Sequence, residues 1–106
     1  MLYTKEEVLE KLRELKPKYE DEGFIILGIF GSYARNEATE SSDIDILYEL
    51  NVDKFLKKYS GFDAVNRLVD IKKELAEVFG KDVDIADNSS ISRVIKKFIL
   101  EETVYA

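Results

Sequence analysis

An α/β (α+β) fold is what this sequence predicts, on three observations. Apolar residues recur at three- and four-residue steps in its first, later and last segments. Short apolar or alternating runs lie between those segments, and glycines or capping residues mark most of the boundaries. The resulting order is helix, strand, helical turn, strand, helix, strand, helix. With 106 residues and no linker, repeat or low-complexity stretch, residues 1–106 read as a single domain with one core.

Each element has a local cause. Thr4-Lys5-Glu6-Glu7 is a capping box, in which the Thr4 hydroxyl and the Glu7 carboxylate each satisfy a free backbone amide, so a helix starts there. Val8, Leu12, Leu15 and Tyr19 give that helix one apolar face. Pro17 cannot donate to the Arg13 carbonyl, which predicts a break or kink near Lys16-Pro17 before Asp21-Glu22-Gly23 closes the region. FIILGIF (24–30) is continuously apolar, too short for a typical helix and bounded by Gly23 and Gly31, and so reads as a strand buried on both faces. A short helix or helical turn is expected from Ser32 to about Ala38, leading into a polar loop.

SSDIDILYEL (41–50) alternates, with Asp43, Asp45 and Leu47 on one face and Ile44, Ile46, Tyr48 and Leu50 on the other, a strand with one apolar side. VDKFLKKYSG (52–61) is expected as a short helix or irregular loop. Asp63–Phe79 carries Val65, Leu68, Val69, Leu75, Ala76 and Phe79 at helical spacing, with Gly80 as the stop. DVDIA (82–86) is the third strand, with Asp82 and Asp84 on one face and Val83 and Ile85 on the other. Asn88-Ser89-Ser90 offers caps for a last helix whose apolar positions include Ile91, Val94, Ile95, Phe98 and Ile99.

Composition narrows the chemistry. The chain has neither cysteine nor histidine, which excludes disulfides, the usual zinc sites, thiol nucleophiles and imidazole bases, and leaves oxygen ligands and hydroxyls. A net charge of −6 argues against coating nucleic acid, because phosphate binding relies on Lys and Arg, although a small local phosphate site fits. The first residues are charged and no long apolar run occurs, so neither a signal peptide nor a membrane span is expected and a cytoplasmic protein is.

Asp43 and Asp45 lie two residues apart on a strand, with Cα atoms roughly 6.5 Å apart and side chains on one face. Taken alone, such a pair is a solvated strand face. It is also a seat for one hard divalent cation, since Mg²⁺ favours one or two carboxylates together with phosphate oxygens and water. Gly31-Ser32, alone an ordinary turn, lets backbone N–H groups come close to a polyphosphate, and the Ser32 hydroxyl can add a donor. Arg35 suits either a substrate phosphate or the capping of the short helix.

Gly31-Ser32, ten residues (33–42), then Asp43-x-Asp45 resembles the signature of the nucleotidyltransferase superfamily that includes DNA polymerase beta. The flanks GIFGSYAR and SSDIDILYEL resemble its minimal nucleotidyltransferase (MNT) group, strongly over residues 24–50 and loosely elsewhere. The resemblance implies a polymerase beta palm-like fold, a small mixed β-sheet with helices packed on one face and the acids on the open one. It also implies a third carboxylate on a later strand, which Asp84 matches best and Asp82 less well. It further implies Mg²⁺, as two ions, held by Asp43, Asp45 and Asp84, with Asp84 helping to deprotonate the attacking hydroxyl. ATP is then the nucleotide, its β- and γ-phosphates positioned by Gly31 and Ser32. The partner implied is a helical HEPN-family toxin, with AMP placed on a toxin tyrosine by an antitoxin. Two other roles are weighed beside it: a weakly catalytic antitoxin acting by contact, and a small-molecule adenylyltransferase of the antibiotic-modifying kind. Asn36 departs from the family's glycine, yet asparagine tolerates the left-handed backbone a turn needs.

Overall fold

A computed structural model describes residues 2–90 and 92–106. Its elements run α1 (Lys5–Glu20), β1 (Phe24–Phe30), α2 (Gly31–Ala34), β2 (Ile44–Leu50), α3 (Val52–Lys58), α4 (Phe62–Phe79), β3 (Val83–Asp87), α5 (Arg93–Glu102) and β4 (Val104–Tyr105). The four strands form one mixed sheet in the order β3-β2-β1-β4. β1 is antiparallel to both β2 and β4, whereas β2 and β3 are parallel and connected through α3 and α4. Val8 and Leu12 of α1, Phe55 of α3, and Ile71, Leu75 and Phe79 of α4 close over Phe24, Ile26, Ile29, Ile44 and Ile46 of the sheet in one buried cluster. Each such side chain removed from water contributes about 1.5–3 kcal/mol before entropy is counted.

The capping box is present as expected: Thr4 N–H donates to Glu7 Oε1 at 2.9 Å and Glu7 N–H to Thr4 Oγ1 at 3.1 Å. The helix does not break at Pro17 but continues to Glu20. Only the bond to the Arg13 carbonyl is forfeited, and the last turn is anchored by fully buried Tyr19, whose hydroxyl donates to Glu74 Oε1 at 2.8 Å. Gly80 stops α4 with φ 65°, as its sequence position predicts.

Other expectations change. β1 is buried fully on the core side only, with Ile25, Leu27 and Phe30 partly covered. A bulge at Leu27 sets Ile26 opposite Tyr48 and Gly28 opposite Leu47, so the core-facing parity moves from Phe24 and Ile26 to Ile29. An apolar run across a bulge looks continuous because its inward period is broken. β2 begins at Ile44, leaving Asp43 just ahead of the strand, and Leu47 is fully buried outside the main cluster. The cap of α5 is Ser92, accepting from Ile95 N–H at 3.4 Å, and not Asn88-Ser89-Ser90, where Asp87 organises a turn. The expected role of Ile91 lies outside the described residues. α5 buries no residue completely, and Val94, Ile95 and Phe98 are exposed. β4 is too short to show alternation and was not foreseen. Among the described residues no helix is long and apolar enough to cross a membrane.

Candidate active site

The site is built where β1 ends and β2 and β3 begin. Asp45 is the register partner of Phe30 on β1 and of Asp84 on β3. Parallel pairing sets the Asp45 and Asp84 side chains on the same face of neighbouring strands, and Asp43 precedes them in the turn. Asp43 and Asp84 are exposed and Asp45 is half-buried. Burial, then the charges of Asp84, Asp43 and Glu102, push the Asp45 carboxyl up to about 6, with Arg35 opposing them. Concentrated carboxylates with oxygen donors alone suit a hard cation. Among the described residues, however, no three acidic side chains converge into a ready-made cage.

Gly31 is the pivot. Its φ of +72° lies in the left-handed region, and a Cβ built there would stand 2.1 Å from Asp45 Oδ2. Conformation and space both require glycine, and the carboxylate is thereby brought against the backbone that opens α2. Ser32 follows, half-buried, with its carbonyl accepting from Glu37 N–H at 2.9 Å. Asn36 adopts φ 59°, so it takes the left-handed turn that the sequence assigned to it.

Arg35 is exposed and engaged by two carboxylates: its Nε donates to Glu37 Oε2 at 3.0 Å and its Nη1 to Glu102 Oε2 at 2.9 Å. The other oxygen of Glu102 accepts from Gly31 N–H at 2.9 Å. Backbone amide and guanidinium thus converge on one anion, the kind of donor pair that grips phosphate or carboxylate. On the other side, a cavity of about 420 Å³ is lined by Asp43, Asp82 and Asp84, by Lys72 and Lys73 of α4, and by Val69, Ala76 and Val83. Lys72 Nζ stands 3.4 Å from Asp84 Oδ1.

The predicted residues Gly31, Ser32, Arg35, Asp43, Asp45 and Asp84 therefore meet at one end of the sheet, and Asp82 lines the same cavity. A nucleotidyltransferase domain family model matches residues 5–106. The chain belongs to the nucleotidyltransferase domain family. As a nucleotidyltransferase it is similar to the protein adenylyltransferase MntA of Thermococcus cleftensis, with 33% identity over 93 residues that cover 88% of this chain and 82% of that one. It is also similar to a candidate protein adenylyltransferase of Methanocaldococcus jannaschii, with 49% identity over 76 residues, 72% of each chain. Among solved structures, a candidate minimal nucleotidyltransferase superposes with a TM-score of 0.70 at 24% identity, covering 96% of this chain and 95% of that one. A toxin–antitoxin structure determined with AMP-PNP gives 0.63 at 22% identity, covering 97% and 72%. These two structures establish the likeness of fold.

Sequence reading of this nucleotidyltransferase missed Glu102 and Lys72. Neither carries a local signal, since both reach the site from helices whose approach only the folded chain defines.

Proposed function

We propose that this nucleotidyltransferase is a protein adenylyltransferase of the cytoplasm, which moves AMP from ATP onto a tyrosine hydroxyl of a HEPN-family toxin and so acts as an antitoxin. The observation that carries the reading is the Gly31–Asp45 contact, which brings backbone and guanidinium anion donors against an acidic cluster in register across two strands. Similarity to proteins named protein adenylyltransferases supports a protein acceptor. The exposed Val94, Ile95 and Phe98 agree with it, since they give a protein partner apolar surface on α5, the helix whose last residue, Glu102, reaches that site.

Asp43, Asp45 and Asp84 are the residues that would hold Mg²⁺, and their all-oxygen donors fit that ion. Bound there, Mg²⁺ supplies positive charge to the polyphosphate and to the leaving oxygen. Gly31 N–H, Ser32 and Arg35 orient the β- and γ-phosphates so that the α-phosphorus faces the acceptor. Asp84, exposed at the rim, takes the proton of the tyrosine hydroxyl as its oxygen bonds to the α-phosphorus. The bond from the α-phosphorus to the bridging oxygen breaks, and pyrophosphate leaves.

Incubating the protein with ATP, Mg²⁺ and a HEPN protein encoded beside it should add the mass of an adenylate to a tyrosine of that partner. Asp43→Asn and Asp45→Asn should each lower the rate by about a hundredfold or more while leaving the fold intact. Undiminished transfer by either variant would remove these residues from the site. If the variant with all three aspartates replaced still neutralised the partner without modifying it, contact would be the mechanism. Transfer to a small hydroxyl compound with no protein present would favour the antibiotic-modifying role.

A further inference from the structure

Glu102 is the last residue of α5, and its carboxylate is held at both oxygens: Gly31 N–H donates to Oε1 at 2.9 Å and Arg35 Nη1 to Oε2 at 2.9 Å. The glutamate side chain is 29% exposed, so one side is open to water while the other closes on these two donors. Its backbone is fixed nearby, because Val104 and Tyr105 of β4 pair with Ile29 and Gly28 of β1 two residues later. The Thr103 hydroxyl also donates to the Ile99 carbonyl at 2.6 Å and tightens the last turn.

A carboxylate so placed satisfies the donors it touches but adds negative charge beside Asp45, where Asp43 and Asp84 already stand. In net charge it therefore works against the acid cluster while it works for Arg35. A fold that needed only to steady Arg35 has Glu37 for that purpose, on the same guanidinium at 3.0 Å. What Glu102 adds is an anion on the N–H of Gly31, the glycine whose Cα stands against the Asp45 carboxylate.

We propose that Glu102 is a built-in competitor for the triphosphate: its carboxylate occupies the Gly31–Arg35 anion seat in the free protein and must withdraw before nucleotide phosphate can bind. This rests on the reading of Gly31 and Arg35 as phosphate ligands. The side chain has three rotatable bonds, so it can swing out while β4 stays paired, and the seat is exchanged between two anions without unfolding. Apparent affinity for triphosphate is then reduced by the fraction of molecules in which Glu102 holds the seat.

Binding of inorganic triphosphate and of a non-hydrolysable ATP analogue, each with Mg²⁺, tests this by calorimetry on the wild-type chain, Glu102→Gln, Glu102→Ala and Arg35→Ala. Glu102→Gln keeps an acceptor for Gly31 N–H and removes only the charge, so it carries the test if Glu102→Ala fails to fold. Both Glu102 variants should bind triphosphate roughly fivefold or more tighter than wild type, and Arg35→Ala should bind it more weakly. The Gly31 amide resonance should shift in Glu102→Ala, and triphosphate should shift it in the wild type. Equal or weaker binding by the Glu102 variants, with weaker binding by Arg35→Ala, overturns the competitor role and makes Glu102 a residue that positions the seat; the phosphate reading then stands. Absence of binding in all four proteins overturns both.

Discussion

At Asp45 the geometry that gathers carboxylates works against the fold. Its carboxyl is raised to about 6 from an ordinary 3.8, by burial first and then by Asp84, Asp43 and Glu102. Because the folded state binds this proton more tightly than the unfolded chain, the protein loses stability as pH rises from about 4 to about 6. Asp45→Asn should therefore be more stable than wild type by about 1–2 kcal/mol near neutral pH, with the difference gone below about pH 4. Urea denaturation across that range checks it, and a variant no more stable at neutral pH would mean that neither burial nor the neighbouring acids strain the Asp45 carboxylate. Much at this scale was legible beforehand. Asn36 takes the left-handed conformation that its residue type tolerates, and Gly31 allows the close backbone approach expected of it, while Asp43, expected on the strand with Asp45, lies just ahead of it. Glu102 was not legible, since an acidic pair at a helix end reads as solvated surface until the fold brings it to Gly31.

Among the elements, β1 holds the most information that its sequence concealed. The bulge at Leu27 changes which residues face the core, and Gly28 admits β4 so closely that a Cβ there would lie 2.2 Å from the Val104 carbonyl oxygen. Gly28→Ala should push β4 off the sheet edge at a cost of about 1–3 kcal/mol. Hydrogen exchange at the Ala106 amide, which donates to the Leu27 carbonyl at 3.0 Å, should then accelerate while the amides of α1 stay protected. Exchange at Ala106 as slow as in wild type would show that the strand accommodates the methyl group. The same pairing fixes Glu102 two residues upstream of Val104, so the β4 contact with Gly28 and Ile29 and the anion seat at Gly31 lie together at the C-terminal end of β1. Helices were easier to read, because capping and stop signals act within one turn: Thr4 with Glu7 starts α1 and Gly80 ends α4. Pro17 misled, since its local penalty is one hydrogen bond while the packing of Tyr19 acts on the whole last turn.

Across the whole molecule, the layers are tied by a polar network at the far side of the core. Arg67 of α4, which the sequence presents as a surface charge, is only 16% exposed; its Nε and Nη2 donate to Glu22 Oε1 and Oε2, each at 2.7 Å, and its Nη1 to Glu74. Glu22 is buried, and the Arg67 guanidinium holds its carboxyl below the usual range, helped by the Tyr59 hydroxyl. That stabilisation is present above the unfolded carboxylate's pKa and is lost as pH falls through the folded one, the opposite trend from Asp45. Arg67→Ala leaves a buried charge unpaired and should cost about 3–5 kcal/mol by chemical denaturation, with the acid sensitivity due to Glu22 reduced. A loss below about 1 kcal/mol would mean that water replaces the pair. By itself the sequence determined the order of α1, β1, β2, α4, β3 and α5, the capping box of α1, the stop at Gly80, and the spacing of Gly31, Asp43 and Asp45 along the chain. Those depend on hydrogen bonds and periodicities spanning a few residues. Only the tertiary structure decided that Asp45 stands beside Asp84, that Arg67 packs half-buried against Glu22, and that Glu102 occupies the donors of Gly31 and Arg35. Contacts between distant segments are set by strand pairing and helix packing over the whole chain, and no local pattern encodes which charges will meet.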